Sequence, residues 1–359
     1  MKFFLTLTLS LLVLAQVSLR ADEAGAKRVI AEYEVARANW VQKVNAAAGV
    51  EERRKLWAAL PDSDVFGEKL FIQLDRSWDQ DWFLKYAPKL LELAPAYSVK
   101  RLKSGRTPLS AIRESAERFH AQSPLIGPLC LALAIDKGPK TRIFIEKMEA
   151  AHPDKKVQGQ AALALALLSR ELGDGGNVRQ FKKRRFDLIR KAIIEAAEMP
   201  FGDKTVGEVS SDLLYALSHL DKGMEAPDVL ARTVESKAMR LSDFRGRPVM
   251  LVFWHDRMEA SEDIKDFIRE VKQRLGPRGL TVLGVASEDA PKLREMVKAG
   301  DVTWKNWLDP QGEIAKIYQV TSYPACWVLT KDGIVAFNGV PGPFAELTAE
   351  ALLPPVRNP

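Results

Sequence analysis

The chain has 359 residues, 47% hydrophobic and 28% charged, the balance of a globular protein with about two domains. Its formal net charge of +6 is too mild for this length to point to nucleic acid. The two cysteines, Cys130 and Cys326, fall in different expected domains, so no bridge between them is expected.

Lys2 precedes the apolar run Phe3 to Val17, "FFLTLTLSLLVLAQV", and then "SLRADEAG". A basic start, a short apolar core and a small residue before a charged stretch predict a secretory signal peptide over residues 1–21, cleaved after Ala21. Cleavage would remove Lys2 and Arg20 and lower the net charge from +6 to +4. The run is short for a membrane span of roughly 20 residues, though an uncleaved anchor is the alternative. No cysteine follows it, so lipoprotein processing is not expected, and no other segment reads as a membrane span.

Residues 22–222 predict an all-α domain. "AEYEVARANWVQKVNAAA" places Tyr33, Ala36, Trp40, Val44 and Ala47 on one helix face. "WDQDWFLKYAPKLLELA" does the same with Trp82, Leu84, Leu90, Leu91 and Leu93. "HPDKKVQGQAALALALLSREL" starts after a Pro-Asp turn and stops at "GDGG". With the next helix, Val178 to about Glu198, it predicts a helical hairpin of the kind stacked in helical-repeat proteins. No fixed period is found. That second helix carries Arg179, Lys182, Lys183, Arg184, Arg185, Arg190 and Lys191. Either it binds an acidic partner, or it is a solvated face with Phe181, Phe186, Ile189 and Ile193 turned to the core, the reading favoured here. His120, His152 and His219 lack ligand-like spacing.

Residues 223–359 alternate strands and helices. "DVLARTV" and "KAMRLSDF" predict an opening strand pair, and "PVMLVFW" a strand too apolar to have a wet face. "EDIKDFIREVKQRL" is an amphipathic helix with Ile264, Phe267, Ile268, Val271 and Leu275 in register. A buried strand "LTVLGVAS", a helix "DAPKLREMVKAG" and a short helix "EIAKIYQV" come next. "PACWVLTKDGIVAFNG" is a hairpin with an Asp-Gly turn, and "PFAELTAEALL" a closing helix. The expected fold class is α/β, a mixed sheet flanked by helices.

These segments resemble the exported thioredoxin-like thiol–disulfide reductases, the TlpA-like group that overlaps the redoxins. The resemblance is carried by "GMEAPDV", "LSDFRGRPVMLVFW", "LGVASED" and "WLDPQGEIAKIYQVTSYPACWVLTKDGIVAFNG". It covers about the last 135 positions of the chain and implies a thioredoxin-like fold with Tyr323–Pro324 as the cis-proline bond facing the catalytic turn. The helical region is more loosely similar to extensions of bacterial members.

The turn departs from the family pattern. The resemblance implies Trp-Cys-x-x-Cys; here Trp254 keeps its place, Arg257 replaces a tryptophan, Met258 the first cysteine and Ser261 the second. A cysteine at a helix N-terminus gains thiolate character from the helix dipole, whereas a thioether has no proton to lose and a serine without a base is a poor nucleophile. The peroxidatic cysteine of a peroxiredoxin would fall in this same region. Asp256, Glu259, Glu262 and Asp263 surround the helix start. They suit helix capping, at roughly 0.3–1 kcal/mol each, and would raise the pKa of a thiol. His255 with Asp256, Glu259 and Glu262 is a weak metal set, and a Ser261–His255 pair lacks a third group. No metal or cofactor is expected.

Cys326, two residues after Pro324, shares its strand face and is the remaining thiol, though a small buried apolar role suits it better. The expectation is an exported scaffold or binding module taking an extracytoplasmic protein or peptide at the surface around Trp254, His255, Arg257, Met258, Tyr323 and Pro324. One alternative is a thiol–disulfide oxidoreductase using Cys326. Another puts the function in the helical domain.

Overall fold

The computed structural model describes residues 22–47, 50–169, 178–258 and 261–355. The expected signal peptide, the "GDGG" turn, the side chain of Arg179 and Glu259 lie outside the described residues. The chain divides into two compact units between Ser211 and Asp212, ahead of the 222/223 boundary expected from composition.

The first unit is helical: α1 (Glu23–Ala46), α2 (Val50–Ala58), α3 (Ser63–Leu74), α4 (Phe83–Leu93), α5 (Pro95–Ser98), α6 (Pro108–Phe119), α7 (Gly127–Ala132), α8 (Pro139–Ala151), α9 (Lys155–Leu168) and α10 (Val178–Ala196). Polar caps start several of them. Asp22 accepts from Gly25 N at 2.6 Å. Thr107 and Ser110 form a reciprocal capping box, with Pro108 at the first helical position. Helix α9 is buried from Val157 to Ala166. Its Gly159 lets α10 approach: an added Cβ would lie 2.6 Å from the Cβ of Ala196.

The phase of α10 differs from the expectation. Phe181 and Phe186 are exposed, while Arg185, Leu188, Ile189 and Ala192 are buried. The pull comes from α8, whose nearly buried Glu149 pairs with Arg184 at 3.0 Å and Lys191 at 2.8 Å. Part of the basic face is therefore neutralised inside the unit. A two-stranded hairpin, β1 (Pro200–Phe201) with β2 (Lys204–Thr205), precedes α11 (Val206–His219).

The second unit opens with the antiparallel pair β3 (Leu230–Arg232) and β4 (Ala238–Arg240). Then come β5 (Val249–Trp254), α12 (Ser261–Leu275), β6 (Thr281–Ala286), α13 (Ala290–Ala299), β7 (Lys305–Leu308), α14 (Glu313–Ile317), β8 (Ala325–Leu329), β9 (Val335–Gly339) and α15 (Pro343–Ala351). The sheet order is β7-β6-β5-β8-β9. β5, β6 and β7 are parallel neighbours, and β8 and β9 are antiparallel.

β5 is buried at every residue because it is the central strand with both faces covered. Met250, Val252 and Trp254 pack with Ile264, Ile268 and Val271 of α12 and with α15. Val249, Leu251 and Phe253 pack on the other face with Ile314, Tyr318 and Trp327. Each such buried side chain contributes roughly 1.5–3 kcal/mol. The antiparallel register of β5 with β8 places the end of β5, the start of α12 and the segment before β8 at one end of the sheet, since Phe253 pairs with Ala325.

Candidate functional site

Trp254 closes β5 and is fully buried. Its Nε1 donates to Asn306 Oδ1 at 3.0 Å, and Asn306 Nδ2 donates to the Trp304 carbonyl at 3.0 Å. The Trp254 ring lies tilted against Trp304 at 5.7 Å. This corrects the expectation that Trp254 belongs to a docking surface: β7 covers it, and it supports the turn from within. Gly284 on β6 makes room for that amide, because an added Cβ would fall 1.9 Å from Asn306 Oδ1.

His255 and Tyr323 do come together. Their rings meet edge-on at 5.0 Å and 64°. Tyr323 Oη accepts from Ser287 Oγ at 3.0 Å, and the Tyr323–Pro324 bond is cis. Arg257 is exposed, while Met258 is half-buried and packs on the core that holds Trp254 and Cys326. His255 Nδ1 is buried with no hydrogen-bond partner among the described residues. Desolvation, helped by Arg257, holds its pKa below the ordinary imidazole value against the opposing charges of Glu288 and Asp256.

Glu262 and Asp263 lie in the first turn of α12, as helix capping requires, and Asp256 and Glu262 are also ion-paired. Lys265, on the buried face of α12, reaches Asp256 at 3.2 Å and Glu262 at 2.6 Å. Burial opposes its charge, but hydrogen bonds and attraction from these two carboxylates outweigh that and raise its pKa. Lys292 adds a longer contact to Asp256 at 3.7 Å. Asp256 N donates to the buried Glu288 at 2.8 Å. Sequence reasoning missed Lys265, Glu288, Ser287 and Asn306. The available signal was a lysine beside Ile264 in the apolar stripe of α12, a position that demands a partner.

Little nucleophilic chemistry remains. Ser261 is buried, its backbone N–H bonds the Met258 carbonyl at 3.2 Å, and no hydrogen bond links it to His255 among the described residues. Cys326 is fully buried opposite Val252 in the sheet, and burial pushes its thiol pKa up. In the first unit Cys130 is pushed up by burial to about 12. Both thiols are free. Among the described residues no group of three or more His, Cys, Asp or Glu is placed to hold a metal ion.

Residues 223–338 match the model of the AhpC/TSA family. The carboxy-terminal unit is a thioredoxin-like redoxin domain. Over 117 residues the chain is 29% identical to the thiol-disulfide oxidoreductase ResA of Bacillus thuringiensis subsp. konkukian (strain 97-27), a match covering 32% of this chain and 68% of that relative. It is 26% identical over 120 residues to the thioredoxin-like protein YneN of Bacillus subtilis (strain 168), covering 32% of this chain and 69% of that one. Among solved structures, the thioredoxin domain of a thiol-disulfide oxidoreductase from Bacteroides vulgatus aligns at 16% identity and a TM-score of 0.35, covering 37% of this chain and 99% of that domain. The match to the redoxin domain thus ends at the second unit and leaves the helical unit outside it.

Proposed function

We propose that this is an exported protein whose redoxin domain keeps the fold of its relatives and binds an extended protein or peptide segment without thiol chemistry. The observation that carries the reading is the turn after β5: Met258 and Ser261 stand where the family pattern has cysteines, and a Lys265–carboxylate network occupies the helix start. His255, Arg257, Met258, Tyr323 and the cis Pro324 form the docking surface, with Trp254 beneath it. An adaptable thioether beside an aromatic pair suits recognition of apolar side chains. Export rests on the run Phe3 to Val17. No helix among the described residues is long and apolar enough to cross a membrane. The alternative, catalysis by Cys326, has against it a fully buried thiol with a raised pKa.

Reduction of insulin by dithiothreitol tests the proposal. The wild-type chain is expected to give the uncatalysed rate; turnover abolished by Cys326→Ser overturns the reading. The double variant Met258→Cys/Ser261→Cys is expected to gain measurable reductase activity, at a modest level because the nearby carboxylates raise the pKa of a new thiol.

A further inference from the structure

Away from the turn, the second unit carries a cleft of about 930 Å³ at the opposite, amino-terminal ends of β6 and β7. Its floor is apolar, made by Phe244, Leu280 and Val282. Four cations line it: Arg247 from the loop before β5, Arg269 and Lys272 from α12, and Lys305 from β7. Asp243 is its lone carboxylate.

Several arginines of the unit outside the cleft are neutralised within the fold. Arg240 pairs with Asp228, Arg245 with Glu225, Arg274 with Glu346, and Arg278 with Glu350. Of the cleft's four cations, Arg269 alone has a carboxylate partner among the described residues, Asp266. Lys272 donates to the Thr303 carbonyl, which leaves its charge uncompensated. Lys305 Nζ sits over the Phe244 ring, 5.8 Å from its centroid, a contact that holds an ammonium without neutralising it. The Arg247 guanidinium has no partner among the described residues, although Asp243 lines the same cleft; the Asp243 carboxylate accepts from Arg240 N at 2.7 Å. Like charges brought together from three separate elements repel one another. A guanidinium offers a planar fork that grips an oxyanion through two parallel hydrogen bonds.

The geometry points to this cleft as a binding site for a ligand with two or more phosphate, sulfate or carboxylate groups on an apolar frame. The cations take the oxyanions and the Phe244–Leu280–Val282 floor takes the frame. The site is separate from the turn, so it stands or falls independently of the peptide-binding reading.

Tripolyphosphate, titrated calorimetrically into the full chain at low salt, is the first probe; phosphatidylglycerol vesicles, assayed by co-sedimentation, are the second. Saturable binding of tripolyphosphate is expected, weakening steeply as salt is added. Arg247→Gln/Lys305→Gln is expected to weaken it by about tenfold or more. Lys316→Gln/Lys331→Gln, which removes the same charge from exposed positions outside the cleft, should change it by no more than about twofold. Binding of the vesicles alone, lost in the cleft variant, would identify the oxyanions as lipid headgroups; binding of tripolyphosphate would identify a soluble ligand. Failure of both probes to bind, or an equal loss in both double variants, overturns the assignment.

Discussion

The two ends of the central sheet treat charge in opposite ways. At the carboxyl end of β5, acids and bases of the turn interlock: Asp256 and Glu262 converge on the buried Lys265. At the amino ends of β6 and β7, cations gather with little to neutralise them. The first arrangement holds a loop in place where no thiol pair is present to be served. The second makes a few local contacts but leaves most of its charge uncompensated, and uncompensated like charges are a cost to the fold. Charge at the turn therefore maintains structure, and charge in the cleft is available to a ligand.

The sharpest way to break this contrast is beneath the turn. Trp254→Ala removes a fully buried ring and leaves Asn306 without its donor; a loss of about 3–5 kcal/mol in urea denaturation is expected. Lys265→Met strips the turn of its central cation and is expected to cost about 2 kcal/mol, less than for a wholly buried pair because Glu262 is exposed. His255→Gln sharpens the comparison through pH. The folded pKa of His255 lies below 6.5 because the ring is desolvated, so the unfolded chain takes up the proton more readily. The stability contributed by this residue is full above about pH 6.5 and is lost as pH falls through the folded value. Denaturation at about pH 7.5 and about pH 5 should show a smaller acid-side decline in the variant than in the wild type. The smallest effect belongs to the other end of the sheet. Arg247→Gln/Lys305→Gln should shift stability by less than about 0.5 kcal/mol, and a large loss would mean that the cleft cations are structural after all.

Much of the second unit was legible in its sequence. The uninterrupted apolar run of β5 read as a strand covered on both faces, and the family resemblance around Tyr323 and Pro324 implied the loop that faces the turn. The exposure of Trp254 was misread because strand alternation tells which face a residue takes and not how deep its last position lies; that depth is set by β7, some fifty residues later, through Asn306. The phase of α10 was misread for a related reason. Two phenylalanines outweighed an arginine in the helical pattern, while the deciding partner, Glu149, sits on another helix. The cleft was invisible to any local reading, because residues 247, 269, 272 and 305 form no run in the sequence and meet only when three elements fold together.

Gly284 and Asn306 carry a further consequence. The amide that holds Trp254 lies where a side chain on β6 would be, so the two positions behave as one locus. A side chain added at 284 would displace the Asn306 amide from Trp254, and a residue shorter than asparagine at 306 would relieve that clash.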